Sequence, residues 1–125
     1  MSEMLTKSHE NGTRYLIWSP GVTDPALEML EKHIIDATII PEEYNRAHLC
    51  YKQLASDNPD DPDEYPLKCY SADGKKEVLI SGITTGYRGA GPHGTVQALM
   101  LMGFDINPET DVFELPMGEE KTFEK

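Results

Sequence analysis

The sequence predicts an α+β domain: a small, mainly antiparallel sheet of three to five strands packed by two or three helices. Three observations carry that expectation. Residues 13–18, 67–72 and 76–84 are rich in β-branched, aromatic and aliphatic side chains, as strands are. Leu27, Leu30 and Ile34 recur at helical spacing. A glycine-rich turn then joins the apolar run 78–83 to a second apolar helix ending at Gly103. At 125 residues the chain is one domain. Chains of this size bury about two-thirds of the surface they expose when unfolded, so a core needs no metal or disulfide. The expected layout is a flexible arm over 1–12, a single domain over 13–116 and an acidic tail over 117–125.

Each element has its own local reason. Strand 13–18 ends at Ser19-Pro20-Gly21. Asp24 and Pro25 suit the cap and first position of a helix over 25–36. Pro41-Glu42-Glu43 opens what reads as a second helix over 41–55, with acids where the macrodipole favours them. Tyr44, Ala47, His48, Tyr51 and Leu54 form its apparent face, and Asp57-Asn58-Pro59 stops it. Residues 57–66 are an acidic, proline-rich loop. Asp73-Gly74 is the strongest hairpin signal in the chain and joins strand 67–72 to strand 76–84. The continuous apolar centre Val78-Leu79-Ile80 suits a strand buried on both faces. A helix over 92–102 packs through Val96, Leu99 and Met100, and 111–115 reads as an edge strand.

The net charge of −11 is concentrated. Residues 57–64 hold five acids and no base, and residues 105–125 hold seven acids and two lysines. Such a surface disfavours nucleic acid as a direct partner, since phosphate backbones want clustered Lys and Arg. No run approaches the ~18 apolar residues of a membrane span. The polar N-terminus has neither the apolar stretch of a secretory signal nor the arginines of a transit peptide. Cytoplasmic residence is therefore expected, with Cys50 and Cys69 reduced.

The glycine turn, 82–94, is the one stretch with the chemistry of a ligand site. Pro92 begins its helix well. Gly94 in the first turn costs the helix roughly 1 kcal/mol relative to alanine. Its presence makes sense where something must approach the backbone closely. Backbone N–H groups at a helix start, with the positive end of the dipole, attract anions. Arg88 can clamp a phosphate. Thr85, His93 and Thr95 can add hydrogen bonds, Gly89, Gly91 and Gly94 can present backbone amides, and Tyr87 or Trp18 can stack on a base. The order Gly86-x-x-Gly89-x-Gly91 matches neither the dinucleotide fingerprint nor the P-loop. The competing reading is a tight strand-to-helix corner with Arg88 solvated.

The residues Gly86-Tyr87-x-Gly89-x-Gly91-Pro92, followed by Ala98-Leu99-Met100-Leu101, resemble the glycine-tyrosine-x-glycine-x-glycine-proline motif of a domain of unknown function in small phage- and plasmid-encoded bacterial proteins. The resemblance covers about a fifth of the chain. The family's tryptophan before the glycine-tyrosine pair is absent, and Thr84-Thr85 stand there. What the resemblance implies is a viral or other mobile-element protein of a bacterial host with no established activity; small phage proteins of this size often act by binding, as in anti-defence sequestration of a nucleotide signal or blocking of a host protein.

Other constellations carry less. No histidine pair has metal-ligand spacing, and the acidic loop lacks the glycine and ligand order of an EF-hand. No nucleophile elbow is present, and no pair of carboxylates shares a rigid face. The expected function is thus a non-catalytic binder of a phosphorylated, nucleotide-type ligand, with no catalytic residue, metal or cofactor. The aromatic set Tyr15, Trp18, Tyr44, Tyr51, Tyr70 and Tyr87 suits half-buried sites, a subunit contact or a base-stacking pocket, with ordinary boundary packing as the competing reading, and a homo-oligomer is expected. Two alternatives stand beside it: an acidic inhibitor or nucleic-acid mimic using 57–64 and the tail against a basic protein, and a small enzyme pairing His93 with a loop carboxylate.

Overall fold

The computed structural model describes residues 3–9, 12–19, 22–52 and 58–125. In chain order the main elements are β1 (Glu3–His9), β2 (Gly12–Trp18), α1 (Thr23–Ile35), β3 (Tyr44–Cys50), β4 (Leu67–Ser71), β5 (Lys76–Ile80), α2 (Ala90–Leu101) and β6 (Glu120–Glu124). The fold is α+β. Among the described residues the strands form one six-stranded sheet in the order β1-β2-β5-β4-β3-β6. Four of its pairings are antiparallel, and β2 and β5 run parallel. The expected three to five mainly antiparallel strands are therefore six strands in a mixed sheet.

Side-chain alternation splits the sheet into two unlike faces. Ile17, Val78, Ile80, Leu67, Cys69, Ala47 and Leu49 form one core with Ala26, Leu27 and Leu30 of α1 and Ala98, Leu99 and Met102 on and just after α2. On the opposite face, among the described residues, Leu16, Trp18, Leu79 and Tyr65 form a small buried cluster. Elsewhere it is polar: Arg14 pairs with Glu77 at 2.6 Å, and Arg46 lies 5.7 Å from the Tyr70 ring centre.

The expected hairpin at Asp73-Gly74 forms. Gly74 N–H donates to Ser71 C=O, and the Asp73 carboxylate accepts from Lys75 N–H and Ser71 Oγ–H. Those bonds, the backbone one first, hold the Asp73 carboxyl below its ordinary value.

The expected helix over 41–55 is not one. Pro41–Glu43 makes a single 3-10 turn, and Tyr44–Cys50 is strand β3 between β4 and β6. The physical reason is a bulge. The pairing of β3 with β4 shifts register between Tyr44 and Arg46, so Tyr44 and Ala47, three residues apart, both face the core. That spacing imitates a helix. Leu54, part of the same expected face, lies outside the described residues, as do Pro20, Gly21 and Asp57.

Both ends of the chain also differ from expectation. Residues 3–9, placed in a flexible arm, pair with β2 as β1. Residues 120–124, placed in the tail, pair with β3 as β6, and Phe123 is buried in the main core. The edge strand expected at 111–115 is a π-helical turn, Glu109–Phe113. Its start is a cap: Asn107 Oδ1 accepts from Glu109 N–H, while Asp111 Oδ2 accepts from Asn107 N–H.

Cys50 and Cys69 are both buried and unpaired. Register places Cys69 opposite Ala47, and alternation turns Cys50 toward the other face of the sheet.

Candidate functional site

The parallel pair β2 and β5 determines where the glycine loop sits. Both strands end on the same side, and each leads into a helix on the same sheet face, α1 after β2 and α2 after β5. Crevices outside the carboxyl ends of parallel strands are where open sheets hold ligands. Hydrogen bonds tie the two connections together. Ser81 N–H donates to Ile17 C=O at 3.0 Å, and Ser19 N–H donates to Ser81 Oγ at 2.6 Å. Thr23 Oγ–H donates to Gly82 C=O at 2.7 Å.

Two of the loop glycines answer to packing. A Cβ on Gly94 would stand 2.2 Å from Thr23 Cγ2, so this glycine admits the start of α1 against α2. A Cβ on Gly91 would stand 2.0 Å from Thr84 Oγ1. Close approach is indeed the reason for Gly94, but what approaches is the chain itself. Thr95 is fully buried, and its hydroxyl donates to Thr84 C=O at 2.7 Å. Thr85 is buried as well, and its Oγ1 has no hydrogen-bond partner among the described residues.

The exposed part of the site lies at the first turn of α2. Gly89 is the N-cap, in extended conformation, and no side chain caps the helix. The helix runs twelve residues, without an acid in its first turn. Its leading amides, Ala90 and Gly91, have no intrahelical acceptor by helix geometry. Arg88 and Tyr87 are exposed beside them. His93, one turn on, donates from Nδ1 to Gly89 C=O at 2.8 Å, which leaves Nε2 as its outward nitrogen.

Sequence reasoning missed the residues that organise this surface. Phe113, from the π-helical turn, lies 5.2 Å from the Arg88 guanidinium and 4.9 Å from the His93 ring. Glu109 on the same turn is ion-paired to Arg88 and raises its pKa above the ordinary value. The sequence did carry a signal for that turn. Asn107-Pro108-Glu109 is a cap, a proline at the first position and an acid after it.

Of the nine residues expected to contact ligand, Arg88, Gly89, Tyr87 and His93 come together at the surface around the start of α2. Gly91, Gly94, Thr95 and Thr85 form the packed layer beneath. Trp18 is elsewhere: its side chain is on the sheet face opposite the helices, 5.8 Å from the Tyr65 ring.

The other chemistries have their own placements. His93 stands on Phe113 and the Gly89 carbonyl, whereas the histidine–carboxylate pairs among the described residues are His48–Glu120 at 3.7 Å and His33–Asp36 at 3.3 Å. Burial pushes the Cys69 thiol up to about 12, far from a reactive thiolate at neutral pH. Among the described residues no three His, Cys, Asp or Glu side chains gather as a metal-binding group, and no helix is long and apolar enough to cross a membrane. The acidic loop is built of turns. Asn58 Oδ1 accepts from Asp60 N–H, and Asp61 Oδ1 accepts from Asp63 N–H. It covers Leu16 and Leu79 on β2 and β5, while the acids of β6 lie three strands beyond β5, roughly 14 Å away at ordinary strand spacing.

No protein-family model matches the chain, and neither a curated protein nor a solved structure matches it.

Proposed function

We propose that the protein binds a small phosphorylated ligand of nucleotide type at the start of α2 and does so without turning it over. The observation that carries this reading is the uncapped N-terminus of α2 with Arg88 beside it and no acid in the first turn. The dipole and the free amides of the first turn attract an anion there. Phosphate oxygens take the place of the Glu109 carboxylate on Arg88. The exchange is cheap, because the Arg88–Glu109 pair is exposed, and exposed pairs are worth little. Tyr87, about half exposed, offers a ring face for a base. His93 Nε2 adds one further polar contact.

Binding without turnover suits sequestration. A basic protein partner remains the second reading, and it would use two separate acidic patches rather than one. Titration calorimetry with mono-, di- and cyclic nucleotides tests the first reading. Saturable binding is expected, weakened by salt and reduced roughly tenfold or more by Arg88→Ala. The proposal fails if no nucleotide binds, or if Arg88→Ala leaves affinity unchanged.

A further inference from the structure

The sheet face opposite the helices carries a cleft with a different chemistry. Among the described residues it is lined by Leu16 and Leu79 as floor, Pro59, Pro62 and Tyr65 as wall, and Arg14 and Asp60 at its polar end. Its volume is about 260 Å³.

The wall is held in place by its own bonds. Tyr65 Oη–H donates to Pro59 C=O at 2.8 Å. Two side-chain-capped turns, at Asn58 and Asp61, fix the segment between the prolines. Tyr65 is locked from behind by Trp18. A loop so braced keeps the shape of the cleft before any ligand arrives, which lowers the cost of binding. The floor is apolar: Leu16 and Leu79 are 3% and 2% exposed.

Arg14 gives this cleft its polarity. Glu77 Oε2 takes its Nε at 2.6 Å. The two terminal nitrogens make no hydrogen bond or ion pair with a described residue, and the side chain is 36% exposed. A guanidinium anchored through Nε presents its remaining edge as a two-pronged donor, the geometry that fits a carboxylate. Glu77 stands against it, so a doubly charged phosphate is repelled more strongly than a single carboxylate.

We infer that this cleft is a second binding site, for a small monocarboxylate with an apolar body of about ten non-hydrogen atoms, its carboxylate on Arg14 and its body against Leu16, Leu79 and Tyr65. It lies across the sheet from Arg88 and does not depend on the nucleotide reading.

Trp18 is the sole tryptophan and touches Tyr65, so its emission reports on the cleft. The test titrates the full chain with phenylacetate, with its neutral isostere phenylacetamide and with inorganic phosphate. Phenylacetate should change Trp18 emission saturably, shift the Leu16 and Leu79 methyl resonances, and bind about ten times more tightly than phenylacetamide or phosphate. Arg14→Lys, which keeps the charge and loses the fork, should weaken phenylacetate severalfold at an unchanged melting temperature. Arg88→Ala should leave phenylacetate binding intact. Absence of saturable binding overturns the proposal. So does equal affinity for phenylacetamide, or unchanged affinity in Arg14→Lys.

Discussion

At the scale of single residues, the proposed ligand site sets up a competition for one guanidinium. Glu109 already occupies Arg88. A bound phosphate and the Glu109 carboxylate want the same donors, so removing the carboxylate should help the ligand. Glu109→Gln is therefore expected to raise nucleotide affinity severalfold, while Arg88→Ala lowers it, both read by calorimetry. A purely structural role for the pair would make both variants behave alike. Cys69 offers a second test at this scale. Its neutral thiol is buried, and its pKa is raised from 9.0 to about 12. Burial likewise raises the Tyr44 hydroxyl. In both cases the unfolded chain gives up its proton first as pH rises. Stability from these groups is thus full below about 9 and falls as the pH climbs toward 12. Melting temperatures across that range should decline. Cys69 should resist iodoacetamide at pH 8 until the protein is unfolded.

Among elements, the contact between α1 and α2 is what explains Gly94. Gly94→Ala gains roughly 1 kcal/mol of helix propensity but forces a methyl group into Thr23 Cγ2. Overpacking of this kind costs about 1–3 kcal/mol, so a net loss is expected by denaturant melts. Thr23→Ser removes that methyl and retains the hydroxyl bond to Gly82. Combined with Thr23→Ser, the alanine should be neutral or stabilising, and additive effects would deny the contact. The elements also show which parts of the fold were legible in the sequence. β2, α1, α2 and the Asp73-Gly74 hairpin follow local signals that packing leaves intact: strand composition, apolar helical spacing, the Gly103 stop and a turn that needs positive φ, although α1 starts at Thr23 with Asp24 inside it and not as its cap. β3 was illegible because its bulge writes a helical spacing into a strand. β6 was illegible because Glu120-Lys121-Thr122-Phe123-Glu124 is polar on both sides of one buried aromatic. Its strand character comes from pairing with β3. The same limit applied to the site. The loop's glycines and Arg88 could be seen in the sequence, but Phe113 and Glu109 reach them from a turn more than twenty residues away in the chain.

For the whole molecule, the sheet is closed at one end by its last residues. Phe123 carries β6 into the main core, so Phe123→Ala should cost about 3–5 kcal/mol in chemical denaturation. Deletion of 117–125 should unfold much of the protein and not merely trim charge. The outer edge of β6 carries exposed Glu120 and Glu124. In an antiparallel copy-to-copy pairing these would meet like charges, which protects that edge from self-association. A phosphorylated ligand landing at the first turn of α2, as proposed, would perturb the amides there before any others. Amide NMR shifts of the full chain, followed during titration with a nucleoside diphosphate, should move first and furthest at Gly89, Ala90, Gly91 and His93, with the Arg88 side chain following. Shifts confined to other parts of the sheet, or none at saturating ligand, would contradict it.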